Sequence, residues 1–132
     1  MDKQAILTIH RGCDSTKSLF VTNKNLDKLK NIFFGNHKKI DAAGGLVLNP
    51  RGEILFIKRL GYWDLPKGKV EKNEEKRKAD VREVEGECSI SNAKIEKKLL
   101  RTYHTYSAKL KKYLKTTYCY WMHYSGSEKL IP

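Results

Sequence analysis

Glu83 and Glu87 lie four residues apart in the run GKVEKNEEKRKADVREVEGECSI, residues 68–90. At about 100° per residue they stand one turn apart on a single helical face, while Val81, Val84 and Cys88 point away as an apolar stripe. Two carboxylates paired in this way can hold a hard divalent cation, with backbone carbonyls and substrate phosphates completing the oxygen shell. The same pair is compatible with a solvated amphipathic helix whose acids need no partner. Gly86 sits between them and weakens the helix, since an interior glycine costs roughly 1 kcal/mol relative to alanine.

Other residue types suit a phosphorylated ligand. Lys58, Arg59, Lys67 and Lys69 flank the loop before this helix; as a fork or a mobile ammonium they can meet phosphates, and Arg59 is best placed, at a strand end. Each is also an ordinary surface charge. Trp63, Tyr62, Tyr103 and Tyr106 offer faces on which a base can stack, and Trp63, just before DLPKG, serves equally to pin the loop. His10, His37, His104 and His123 show no convergent spacing for a triad or a zinc site, so nucleophilic catalysis is not expected. Between Lys94 and Lys115 eight basic residues face the single acid Glu96. That cluster can steer phosphates or RNA, or it can simply keep strand edges soluble.

These residues sit in a chain of 132 residues, 39% hydrophobic and 32% charged, which fits one self-sufficient core and excludes wholesale disorder. Twenty-seven Lys and Arg against 15 Asp and Glu give a net charge of +12, which favours polyanionic partners without naming one. The three cysteines, Cys13, Cys88 and Cys119, have no metal-ligand spacing and are odd in number, so a reducing cytoplasm is expected. No window is long and apolar enough to span a bilayer, so no membrane role is expected.

The elements that must position the acids follow from local pattern. QAILTI (4–9) reads as a strand, RGCDSTK as a turn, and Leu26, Leu29, Ile32 and Phe33 as a helix stopped by GNHKK. AAGGLVL (42–48) and EILFIKR (53–59) read as strands joined by NPRG, the second buried on both faces. A long loop punctuated by Gly61, Pro66 and Gly68 follows. Asn73 is expected to cap a helix starting at Glu74, with Glu74 and Glu75 at the positive end of its dipole. IEKKLLRTY (95–103) and LKTTYCYWMHY (114–124) read as strands, with HTYSAKLKK as the turn between them.

The acidic run resembles the signature of Nudix hydrolases: G, five residues, E, seven residues, then R-E-U-x-E-E-x-G-U, U being a bulky aliphatic. Gly68, Glu74, Arg82, Glu83, Val84, Glu87 and Ile90 fall in register; Gly86 replaces the first glutamate of the E-E pair, and Ser89 the last glycine. The flanking AAGGLVL, EILFIKR and YWDLPKGKVE resemble the family as well. The resemblance implies an α/β fold, a Nudix-type α/β/α sandwich with a mixed central sheet, over residues 41–132, preceded by a strand-helix extension at 1–40. A further strand segment and helix are expected beyond KLIP, so the chain reads as shortened there.

The resemblance also implies metal-dependent hydrolysis of the pyrophosphate linkage in a nucleoside diphosphate derivative. Glu83 and Glu87 would ligate Mg2+ or Mn2+, assisted by the carbonyls of Lys67 or Gly68, the latter's missing side chain letting its oxygen approach the ion. Arg82, paired with Glu74, would orient the acids, and Glu83 is the first candidate for base. Because Gly86 removes one carboxylate, a weakened or inactive domain that binds nucleotide or RNA is the alternative. The oligomeric state, a dimer included, stays open.

Overall fold

Leu26, Leu29, Ile32 and Phe33 recur at helical spacing, and in the computed structural model, which describes residues 5–10, 18–126 and 130, they lie in helix α1 (Leu26–Phe34). The Asn25 side chain caps it by accepting the Lys28 N–H at 3.1 Å. This helix belongs to the first of two units, Met1–His37 and Lys38–Pro132. Before it, β1 (Ala5–His10) pairs antiparallel with β2 (Ser18–Asn23), Ala5 opposite Asn23. The sequence reading found only the first of these strands. Its expected turn at 11–17, with Cys13, lies outside the described residues.

The second unit is built on β3 (Lys38–Leu48), which begins four residues before the AAGGLVL run. The segment 53–59 is not the doubly buried strand that its apolar run predicts. Only Leu55 is buried; Ile54 and Phe56 are 45% and 49% exposed. Pairing to β3 is limited to the Leu48–Ile54 bridge and the Leu55 N–H to Val47 carbonyl bond. The reason is competition for an edge. Strand β6 (Lys67–Lys69) takes the edge of β3 at Ala42–Gly44, and the returning chain instead folds on itself as β4 (Ile57–Arg59) against β5 (Tyr62–Asp64). Leu60 and Gly61, at φ 49° and 84°, form the two-residue turn that the twist of a hairpin favours.

Helix α2 spans Lys76–Cys88, two residues later than expected. Asn73 is in the left-handed region at φ 64°, and the N-cap is Glu75, which makes no side-chain capping bond. Glu74 is drawn off the helix end by Arg82. At the other end Ser89 is the left-handed C-cap, φ 53°, its N–H donating to the Glu85 carbonyl. Glycine is the residue that adopts this conformation without steric penalty. Ser89→Gly is therefore expected to raise stability by about 1 kcal/mol, measured by urea denaturation; unchanged or lower stability would count against the strained cap.

Strands β7 (Lys94–Ala108) and β8 (Lys111–His123) form one long hairpin. The expected turn HTYSAKLKK is mostly strand, leaving only Lys109 and Leu110 as a turn, both at positive φ. The four-stranded sheet runs β6-β3-β8-β7 and is mixed, since β3 and β8 are parallel and the other pairs antiparallel. Alternation along the strands sends Val47 and Met122 to one face, where they meet Val84 and Cys88 of α2 in a core with Leu55, Ile90, Ala93 and Tyr124. Among the described residues no helix is long and apolar enough to cross a membrane.

Candidate active site

The apolar stripe of α2 fixes its rotation, and its polar side then meets the loop and strand that precede it. Gly68 is the point of closest approach. A Cβ added there would collide with the Glu83 carboxylate, so the missing side chain makes room for an acid; the sequence reading had it admitting backbone oxygen to an ion. One turn on, Glu87 Oε2 accepts the Lys67 N–H at 3.0 Å. The two acids thus close on consecutive residues of one strand.

Arg82 locks this geometry. Its Nε and Nη2 donate to the two carboxylate oxygens of Glu74 at 2.8 and 2.9 Å, Nη2 also donates to the Lys69 carbonyl at 3.0 Å, and Nη1 contacts Glu83. Hydrogen bonds from Arg82 and from the Glu71 N–H hold the Glu74 carboxyl down to about 2, and bonds to Glu74 and then Glu83 push the guanidinium above its ordinary range. A bidentate pair of this kind is geometrically specific. It ties the loop, β6 and α2 into one frame.

Around Glu87 the charges alternate. Arg59 Nη1 lies 3.8 Å from Glu87 Oε1, and the Lys67 ammonium contacts Asp64. Burial, the largest single influence, would raise the Asp64 carboxyl, but the bond to Lys67, the charge of Lys67, the Leu65 N–H and the charge of Lys115 together hold it below the ordinary range. Lys115 completes the group from β8: burial first, then the charges of Lys67 and Arg59, hold its ammonium below the usual lysine range. Sequence reasoning did not single out Asp64, and it counted Lys115 only within a basic cluster. The alternation of LKTTYCYWM, which gives Lys115 the parity of Cys119, was the available signal.

The remaining residues are dispersed. Lys58 lies over the Trp63 ring, 5.8 Å from its centroid, on the β4–β5 hairpin, where Trp63 and Tyr62 are 70% and 78% exposed. Lys69 contributes its carbonyl to Arg82. Tyr103 is on β7, at the opposite edge of the sheet from β6, and binds Arg101; it is not brought to the acids. Gly86 is exposed, and an added Cβ would meet nothing within 4 Å. Glu85 accepts the Ala93 N–H at 2.9 Å and so closes the loop after the helix.

The donor set suits a hard divalent cation: two carboxylates closing on the main chain of Lys67 and Gly68, with no thiolate or imidazole among the described donors. Among the described residues no three His, Cys, Asp or Glu side chains cluster for a metal, so protein carboxylates alone would not fill a coordination shell.

Residues 38–130 match the family model of the NUDIX domain. Among solved structures the chain is similar to a C. elegans Ap4A hydrolase, with 22% identity, a TM-score of 0.52, and 71% of this chain and 76% of that one covered. It is similar to a MutT NUDIX hydrolase from Burkholderia pseudomallei, with 25% identity, a TM-score of 0.53, and 73% and 76% covered. A binary complex of a C. elegans Ap4A hydrolase gives 22%, 0.54, 70% and 71%. The shared feature is the fold, α/β with a mixed central sheet.

Proposed function

The chain belongs to the Nudix family, and on that premise we propose that it hydrolyses the pyrophosphate linkage of a nucleoside diphosphate derivative, using Mg2+ or Mn2+. The observation that carries this reading is the closure of Glu83 on Gly68 and of Glu87 on the Lys67 amide. A divalent cation held by Glu83 and Glu87, with help from the carbonyl of Lys67 or Gly68, would neutralise phosphoryl oxygens and lower the pKa of water. Arg82 positions Glu83, which takes the proton of the attacking water. Arg59, Lys67 and Lys115 gather the anionic substrate, with Lys58 and Lys69 at the margin, and the exposed Trp63 offers a face for its base. The expected extension at 1–40 is cut back to 1–37 in this reading, since Lys38 opens β3, and the free thiols of Cys88 and Cys119 suit a reducing cytoplasm.

The test is hydrolysis over nucleoside triphosphates, dinucleoside polyphosphates, sugar nucleotides and 5′-triphosphorylated RNA, with Mg2+ and with Mn2+. Turnover of at least one, dependent on the cation, is expected; none with either ion rejects the enzyme and leaves the second reading, a domain that binds nucleotide without turning it over. Gly86 favours that alternative, since a carboxylate is missing from the box and among the described residues nothing lies within 4 Å of where its side chain would begin.

The open space at Gly86 makes the defect reversible. Gly86→Ala is expected to add about 1 kcal/mol of stability and leave the metal requirement unchanged. Gly86→Glu should lower the Mn2+ concentration for half-maximal rate about ten-fold, the weight of roughly 1.4 kcal/mol. Equal metal titrations for the two variants would show that the absent acid was not limiting.

A further inference from the structure

We infer that the face of the four-stranded sheet turned away from α2 binds single-stranded nucleic acid, its unpaired bases stacking on aromatic rings at the β7–β8 hairpin. The strand register places Tyr106 opposite Tyr113, His104 opposite Lys115, and Lys38 beside Tyr113. These residues alternate with Tyr118, Tyr120 and Met122. The latter meet Lys76 and Arg77 of α2 and the core, so the former point to the other side.

On that side the rings form a column. Tyr106 and Tyr113 are stacked, with centroids 5.1 Å apart and planes 12° from parallel. His104 continues the stack at 6.2 Å and 25°. Lys38 Nζ lies 5.9 Å from the Tyr113 centroid. A row of parallel rings at an exposed hairpin, with cations at its border, is a stack that unpaired bases can extend while the cations neutralise the backbone. A sheet face with aromatics on its strands is one of the established physical modes of holding single-stranded RNA.

The charge distribution selects the same occupant. Among the described residues of this sheet the acids are Asp41 and Glu96. Asp41 is on the other face, paired with Lys76 at 3.7 Å, and Glu96 sits at the bulge between Ile95 and Lys97. Positive charge runs along the column's face from Lys111 at the hairpin tip to Lys115; Lys67, which shares this face through its partner Gly44, is paired with Asp64. Lysines alone would only keep an edge strand from aggregating; the parallel rings are what that explanation leaves over. The inference concerns binding and does not depend on hydrolysis.

The test titrates the full-length chain, without divalent cation, into a fluorescein-labelled single-stranded RNA of roughly ten nucleotides, a length such surfaces cover. Unlabelled DNA of the same sequence and an RNA duplex serve as competitors. Both single strands are expected to compete comparably, and the duplex about ten-fold less well. Replacing Tyr106 and Tyr113 together by Ala should weaken binding about ten-fold or more, whereas replacing both by Phe should retain it, because the ring faces survive. Lys111→Ser, on the stacking face, should weaken binding more than Lys112→Ser, on the opposite one. A duplex that competes as well as single strands, or lysine variants that behave alike, would reduce the surface to bulk charge and overturn the inference. So would wild-type affinity in the alanine pair, or a loss in the phenylalanine pair equal to that in alanine.

Discussion

Glu87→Gln is expected to lower kcat by about a hundred-fold or more on whichever substrate the chain turns over. If Glu87 holds the proposed cation, several kcal/mol of charge stabilisation would depend on this carboxylate, and each 1.36 kcal/mol is a decade in rate. The substitution is structurally mild. Glutamine keeps an oxygen to accept the Lys67 N–H that Glu87 accepts at 3.0 Å, so the frame made by Arg82 and Glu74 should persist and the melting temperature should change little. Glu85→Gln is the matched control: its carboxylate accepts the Ala93 N–H, and its loss should leave the metal titration as it is. An unchanged kcat in Glu87→Gln, or equal losses in both variants, would remove Glu87 from the proposed metal site.

The contrast between Glu85 and Glu87 also shows what the sequence could and could not convey. Helical spacing was enough to separate the face of Glu83 and Glu87 from the apolar stripe, because 3.6 residues per turn is a property of the backbone alone. The start of α2 was misjudged because Asn73 reads as a cap with Glu74 in the first turn, whereas Asn73 is left-handed and Glu74 is engaged by a guanidinium eight residues further on, a contact that tertiary structure decides. The run 53–59 misled for a similar reason. Its apolar residues suit a central strand, but β6 holds the edge it would need at Ala42–Gly44. The β7–β8 hairpin was read too short because residues 104–112 are exposed on both faces; a ladder needs no apolar alternation where it packs against nothing.

Asp80 was invisible by the same logic, and it carries the largest expected effect on stability. One acid in a helix rich in charge reads as solvent-facing, yet Asp80 is fully buried on the inner side of α2, and among the described residues neither carboxylate oxygen has a hydrogen-bond partner. Burial pushes its carboxyl up to about 8 against an ordinary 3.8, with Arg77 opposing only in part. The folded chain therefore holds a proton that the unfolded chain releases above pH 4. The sign follows: the contribution to stability is complete below the unfolded pKa, declines as pH rises toward about 8, and is flat beyond. Asp80→Asn removes the ionisation while keeping the shape. It should match the parent chain near pH 4 and exceed it progressively up to pH 8, by on the order of a few kcal/mol, or about ten degrees in Tm. Thermal denaturation of both proteins across that range checks it. Parallel curves would mean that Asp80 is ionised and partnered in the folded state, and that the interface between α2 and β8 tolerates a buried charge.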